Sequence, residues 1–404
     1  MRIGMILDNE FTGDLRVENE VTSLQNAGHN VFVLCLNFGS KESHENFHGA
    51  KIFRISIPKF IKKKLVGLNN TIFNLYPVFW SIHIKRFIAN NKIEVLHVHD
   101  LWMLNSAFKA NKNFNLPVVS DLHENFVHAL NHYRFANTFP GNMLISKKRW
   151  EKSEIEWTKK ADHIITVIEE AVERYKALGI AGDKISVVAN YVNLESFLAS
   201  PIDESIVEKF KDNFTVTYVG GFDVHRGLES TLKAVPKIVK EIDNYKLVLV
   251  GAGSNFESLV KLSKELNVDD HVSFEGWQPH EKLSSYIKAS DVCLIPHLKT
   301  VHTDNTIPHK LFQYMIFEKS VIASNCDPIV RIINETEAGV VFQSNNENDL
   351  ADKVVMLYQD PDLRIEMGVK GKQAVLDKYN WDKAAMNLID VYKKVEQKVK
   401  EQNG

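Results

Sequence analysis

Residues 308–324 read PHKLFQYMIFEKSVIAS. Thr306 suits an N-cap and Pro308 a first helical turn, while Leu311, Met315 and the neighbouring aromatics make an apolar face. The spacing therefore predicts a helix that ends near Glu318. Val321, Ile322 and Ala323 follow as a short buried strand, and Leu294, Ile295 and Pro296 close another strand upstream. A helix that starts just past a strand end aims its free N–H groups at the carboxyl edge of the sheet, which is an anion site. Lys310 and Gln313, three residues apart on neighbouring faces, are placed to address one ligand together. An amphipathic core helix with polar surface residues accounts for the same pattern.

Residues 214–219 form a strand of β-branched and aromatic residues that runs into Gly220-Gly221-Phe222-Asp223-Val224-His225-Arg226-Gly227, and Leu228, Leu232 and Val235 mark the helix beyond. A glycine pair after a strand, with a cation just before a helix, supplies what a diphosphate cradle needs: close backbone approach and a fixed positive charge. The next strand, 246–250, ends in a weaker loop that begins at Gly251. A brief strand at 272–274 leads to Trp277, whose ring suits a nucleobase. A late strand at 338–342 and helical patterns at 348–358, 362–379 and 381–401 complete this half.

The N-terminal half has the same design. Residues 3–7 read as a buried strand, 8–13 as a loop, Val17, Val21 and Leu24 as one side of a helix that Gly28 stops, and 31–36 as a second strand. Gly13 either lets the backbone approach a phosphate or makes a tight turn, and Arg16 stands near the helix start as an anion contact. Strands at 94–99 and 117–121 each end in a polar cluster, one with His97, His99 and Asp100, the other with Asp121, His123 and Glu124. His97 and His99 share a strand face. No closed ligand set with helical or Cys-rich spacing accompanies them, so the cluster reads as a substrate-facing rim and no metal is expected.

With 404 residues, a net charge of −2 and ordinary composition, the chain exceeds one core, and nucleic acid is not an expected partner. Cys35, Cys293 and Cys326 form neither a disulfide framework nor a metal spacing. The strand pattern beginning at Arg2 leaves no room for a signal peptide, and the apolar stretch 65–84 is broken by Asn69, Asn70, Asn74 and Pro77, so a reducing, cytoplasmic home is expected. Residues 58–91 mix Lys59, Lys62, Lys63, Lys64, Lys85 and Arg86 with Phe60, Ile61, Leu65, Phe73, Tyr76, Phe79 and Trp80. This run suits either peripheral docking on an anionic membrane face or a solvated loop and helix packed on the N-terminal domain.

The motifs in order resemble the retaining nucleotide-sugar glycosyltransferases of family four, with the GT-B architecture. Ala27-Gly28-His29-Asn30-Val31, the His97-Val98-His99 segment, His123-Glu124, residues 184–197, the Gly220 to Gly227 loop, residues 291–296 and the 308–324 stretch all match in succession. The resemblance implies an α/β chain of two Rossmann-like parallel-sheet domains facing across a cleft: an acceptor-side domain, 1–200, a donor-binding domain, 201–380, and a last helix, 381–404, packing back on the first. It implies transfer of a sugar from a UDP- or GDP-type donor to a glycan or lipid-linked glycan hydroxyl in surface-glycan assembly, with no cofactor and no metal.

Carried over by position, Gly13, Gly220, Gly221, Arg226, Gly251, Trp277, Asn305, Thr306, Ile307, Pro308, His309, Lys310 and Gln313 would bind the donor. Arg16, His99, Asp100, His123 and Glu124 would face the acceptor, and His123, Arg226 and Lys310 would carry the chemistry. Two departures stand out. The family's Glu-x7-Glu pair is Asn305 and Gln313 here, and the Arg beside the first glycine is Gly221, a loss that Lys310 is placed to restore. A sugar-nucleotide epimerase of the same architecture and a non-catalytic sugar-nucleotide-binding subunit are the alternatives.

Overall fold

The computed structural model describes residues 1–39, 41–66, 69–71, 74–123, 125–130 and 145–403; Phe73 and Glu124 lie outside them. The chain divides into two compact units, residues 1–190 with 384–404, and residues 191–383. The sequence places this break near 200. It falls earlier because the polar span hides apolar anchors: Phe197 and Phe210 are buried on short helices Leu194–Leu198 and Glu204–Phe210, and Phe197 packs edge-on against Phe317.

The first unit is built on an eight-stranded sheet in the order β3-β4-β2-β1-β5-β6-β7-β8. Its strands are β1 (Arg2–Ile6), β2 (Asn30–Asn37), β3 (His44–Phe47), β4 (Ala50–Ser56), β5 (Val95–His99), β6 (Val118–Leu122), β7 (His163–Thr166) and β8 (Ile185–Val187). All pairs are parallel except β3 with β4. That hairpin is absent from the sequence reading because β3 is mostly exposed and shows no alternation. Its two-residue turn, His48-Gly49, takes positive φ at both positions, as a tight hairpin requires. β5 and β6 are buried throughout, the mark of parallel strands covered on both faces.

The second unit carries β9 (Phe214–Val219), β10 (Tyr245–Val250), β11 (Val272–Gly276), β12 (Val292–Ile295), β13 (Ser320–Ser324) and β14 (Gly339–Phe342), in the order β11-β10-β9-β12-β13-β14. Each sheet winds outward in both directions from one central pair, β1 with β5 and β9 with β12. Such a pair opens a crevice at the carboxyl ends of its strands, where ligands bind in doubly wound folds. Gly220 follows β9 and His297 follows β12. Asp8 follows β1 and Asp100 follows β5.

The helix expected from Pro308 to Glu318 is shorter, Lys310–Ile316, with His309 rather than Thr306 at its N-cap and no side-chain cap bond. Thr306 Oγ1 instead donates to His302 O at 3.4 Å. With seven residues, the helix end is a minor source of positive potential, and the charge at this edge belongs to side chains.

Gly227 holds the turn after β9 against the chain after β12. Its φ is +69°, and a Cβ there would lie 1.9 Å from Pro296 O. Gly227→Ala is expected to lower the stability of this unit by more than about 2 kcal/mol, read as a fall in the urea midpoint. An unchanged midpoint would show that this contact constrains nothing.

Candidate functional site

In the second unit, residues from three segments meet at the carboxyl edge of the sheet. Gly220 N donates to Val250 O at 2.8 Å, which extends the β9–β10 pairing one bond past the end of β9. Tyr218 OH donates to Gly221 O at 2.8 Å and fixes the loop. Lys310 reaches this loop from the side: its Nζ sits 3.7 Å over the Tyr218 ring and 2.5 Å from where a Cβ on Gly220 would stand. Gly220, with φ +143°, thus leaves room for the ammonium.

Lys310 is buried, and its Nζ has no hydrogen-bond partner among the described residues. Burial, with Arg226 adding to it, holds its pKa well below that of an ordinary lysine. Arg226 Nη1 donates to His297 Nε2 at 3.0 Å, while Arg226 Nε has no partner among the described residues. His297 accepts because burial, then Lys310 and Arg226, push its pKa well down and keep it neutral. The ring contact supplies Lys310 with about 1–2 kcal/mol, less than the several kcal/mol that burying an unpaired ammonium costs.

The other residues expected at the donor fall around this pair in different states. Trp277 is 73% exposed beyond β11. Gly251 packs so tightly on Gly220 that a Cβ there would meet Gly220 O at 1.9 Å. Ile307, Pro308, His309 and Gln313 are half-buried. Asn305 Nδ2 turns back to donate to Val301 O at 2.6 Å, so that part of the amide is committed to its own loop. His297 and Tyr218, which sequence reading passed over, complete the set. The position of His297, two residues past the end of β12, was the available signal.

In the first unit the expected rim is real but lies deeper. Gly13 N donates to Glu18 Oε1 at 2.7 Å, so a carboxylate occupies the amide that was expected to meet a phosphate. Arg16 is not an anion contact at the surface. It is buried, with Nη2 2.9 Å from Asp121 Oδ1 and 3.0 Å from Glu20 Oε1, and Nη1 donates to Val188 O at 2.8 Å. Its position on the inward face of helix Leu15–Asn26, one residue before the buried Val17, explains this.

His97, His99, Glu20 and Asp121 are fully buried together, and His123, whose side chain is 24% exposed, carries the cluster to the surface. His123 Nε2 lies 2.9 Å from Asp121 Oδ2, and Nδ1 lies 3.6 Å from Asp100 Oδ1. Asp100 takes a left-handed backbone, φ +69°. Burial works against the His123 imidazolium, but Asp121 and then Asp100 outweigh it and raise its pKa to about 9. Burial also works against the Asp121 carboxylate, and Arg16 and His123 outweigh it, so Asp121 titrates well below the usual range. Burial and then Asp121 raise the pKa of Glu20 well above its ordinary value, against the pull of Arg16.

Glu20, His97, His99 and Asp121 are the one group among the described residues with metal-ligand chemistry at this density. The Arg16 guanidinium and the His123 imidazolium stand against the Asp121 and Asp100 carboxylates beside this group. Glu20, four residues after Arg16, was the member that sequence reading missed.

Residues 16–196 match the family model described as Glycosyltransferase Family 4, and residues 200–374 match Glycosyl transferases group 1. An uncharacterized glycosyltransferase of Methanocaldococcus jannaschii is 25% identical over 239 residues, 59% of this chain and 58% of that protein. The phosphatidyl-myo-inositol mannosyltransferase of Mycolicibacterium smegmatis is 22% identical over 98% of this chain and 94% of its own. The structure of sucrose-phosphate synthase from Thermosynechococcus elongatus superposes with a TM-score of 0.77 at 19% identity, covering 98% of this chain and 99% of that one.

The raised pKa of His123 fixes a sign. A histidine whose folded pKa lies above its unfolded value of about 6.5 contributes stability that is full below that pH and is lost as pH rises through about 9. His123→Gln is therefore expected to cost about 2 kcal/mol at pH 6 and progressively less toward pH 10, measured by denaturant melts of both proteins. A difference that grows with pH would contradict the charge assignment.

Proposed function

We propose that this chain, which belongs to glycosyltransferase family 4 and has the GT-B architecture, moves a hexosyl group from a nucleoside diphosphate sugar to an acceptor hydroxyl with retention of configuration, in surface-glycan assembly. The observation that carries this reading is Lys310, a buried ammonium without a hydrogen-bond partner among the described residues, held beside the Gly220 loop. A diphosphate is the anion that would relieve it.

As the bond to the sugar breaks, negative charge grows on the departing phosphate oxygen. Lys310 and Arg226 neutralise it from positions already fixed by the fold, where preorganised charge acts most strongly. The leaving phosphate takes the proton of the acceptor hydroxyl, so no side-chain nucleophile is needed. Gln313 addresses ribose hydroxyls through its amide, Trp277 offers a face to the base, and His123, as a hydrogen-bond donor, serves the reacting sugar. Both the diphosphate and its charge are absent from a free hexose, which explains why a buried cation would be kept.

The acceptor is assigned to a lipid-linked glycan at an anionic membrane face. Helix Lys59–Val66 buries none of its side chains, and Phe60 and Ile61 are exposed with Lys59, Lys63 and Lys64. Along helix Leu75–Asn91, Leu75, Val78 and Ile82 form an exposed apolar stripe followed by Lys85 and Arg86. Lys62 is occupied, donating to Asp8 O at 2.8 Å, and so anchors the basic helix rather than facing outward. No helix among the described residues is long and apolar enough to cross a membrane, and the reading is of peripheral contact.

Incubation with a panel of UDP- and GDP-sugars should release nucleotide only when an acceptor is present; inversion of the sugar without acceptor, or binding without turnover, would replace transfer with epimerisation or simple binding. Lys310→Met should leave the free protein as stable or more stable by about 1 kcal/mol, while kcat/KM falls about 100-fold. Transfer at the wild-type rate would remove Lys310 from the site. At alkaline pH, where the lowered pKa leaves part of Lys310 deprotonated, nucleoside diphosphate binding should also take up a proton, seen as a binding heat that changes with buffer and is lost in Lys310→Met. Replacement of Lys59, Lys63 and Lys64 by Gln should abolish sedimentation with anionic vesicles at low salt, and binding indifferent to the change would end the membrane reading.

A further inference from the structure

The last helix, Trp381–Asn403, places Tyr392 in full burial beside the ion network of the first unit. Tyr392 OH lies 2.7 Å from His97 Nδ1, its ring stacked on His97 at 6.1 Å. Burial keeps the phenol protonated, its pKa held well above the ordinary value, so it donates and Nδ1 accepts. The proton of neutral His97 is then on Nε2, which faces Glu20 Oε2 at 3.5 Å and Asp121 Oδ2 at 3.7 Å. The other tautomer would turn a lone pair toward the Asp121 carboxylate. His99 Nδ1 approaches the same Asp121 oxygen at 3.2 Å, and that oxygen carries His123.

We propose that Tyr392 is a positioning residue for His123: its hydroxyl sets the His97 tautomer, and so turns the positive end of the His97 N–H dipole toward the Asp121 oxygen on which His123 and His99 rest, an electrostatic approach at 3.7 Å and not a hydrogen bond. The proposal rests on the assignment of His123 to the reacting sugar for its effect on rate, but not for its effect on His123 itself. Without the hydroxyl, His97 loses its orientation and Asp121 is free to turn wholly to Arg16, whose Nε and Nη2 already reach it at 3.2 and 2.9 Å. His123 would then keep Asp100 but lose part of the charge that holds its proton. Among the described residues, the titratable groups around it are Arg16 and Glu20 from helix Leu15–Asn26, His97, His99 and Asp100 from β5 and its end, and Asp121 from β6.

The test is Tyr392→Phe in the full chain, which keeps the ring and removes one oxygen. NMR titration of 13C-labelled histidines, with His123 assigned through His123→Gln, should show its midpoint falling by about half a pH unit or more. The basic limb of the rate profile should move with it, and kcat should drop about five-fold with donor KM within about two-fold. Asn387→Ala is the control, since Asn387 Nδ2 donates from the same helix to Val187 O at 3.0 Å without touching the network. Its His123 midpoint should stay in place.

A Tyr392→Phe midpoint within about 0.2 unit of wild type overturns the proposal, as does an equal shift in Asn387→Ala, which would trace the effect to helix packing. If Tyr392→Phe does not fold, His97→Gln cuts the same chain of contacts and must lower the His123 midpoint likewise; an unchanged midpoint there also overturns it. If the midpoint falls while the rate is unaffected, the network stands and the role given to His123 in transfer fails.

Discussion

A lysine ammonium held out of water beside a glycine backbone, with an aromatic ring as its nearest compensation, is the constraint around which the second unit is arranged. Gly220 must lack a side chain to admit Lys310, Tyr218 must present its face, and His297 must stay neutral so that Arg226 can approach without a third charge. Each of these conditions would be pointless in a merely stable core, since an apolar side chain at 310 would satisfy the same packing without desolvating a charge. The folded protein therefore carries local electrostatic strain that an anion would relieve. This is the form expected of a site organised for charge that arrives with a ligand.

The first unit treats charge in the opposite way. Arg16 and His123 are set against Asp121 and Asp100, with Glu20 beside Arg16, and four parts of the chain supply the network: helix Leu15–Asn26, β5 and its end, β6 and its end, and the last helix. Such a network is high in stakes because each member is buried and depends on the others. Among the described residues it reaches the surface through His123, partly exposed at the sheet edge and charged across the neutral range. One unit thus leaves positive charge unanswered, and the other delivers a single, closely supported imidazolium.

Both sheets place these groups by the same rule. Each unit has a central strand pair from which the order runs outward in both directions, and functional side chains follow strands of that pair or the next one along: Arg226 after β9, His297 after β12 and His123 after β6. The repeated strand, glycine turn and helix in the two halves of the sequence were legible because parallel strands buried on both faces read as apolar runs. The hairpin of β3 and β4 was not, because an exposed edge leaves little periodic trace, and the unit boundary was blurred by Phe197 and Phe210 sitting within a polar span.

From the sequence alone came the two α/β units, the glycine turn before Arg226, the proximity of Lys310 to an anion edge, and the polar strand ends around His99 and His123. These depend on local periodicity and on chemistry a few residues apart, which the order of residues records directly. Only the tertiary structure decided that Arg16 is an interior ion-pair partner, that Gly13's amide is already taken, that Lys310 lacks a hydrogen-bond partner among the described residues, and that Tyr392 reaches His97 across 295 positions of chain. Burial and pairing set the charge state of each group, and both are properties of what lies nearby in space, which no spacing along the chain encodes.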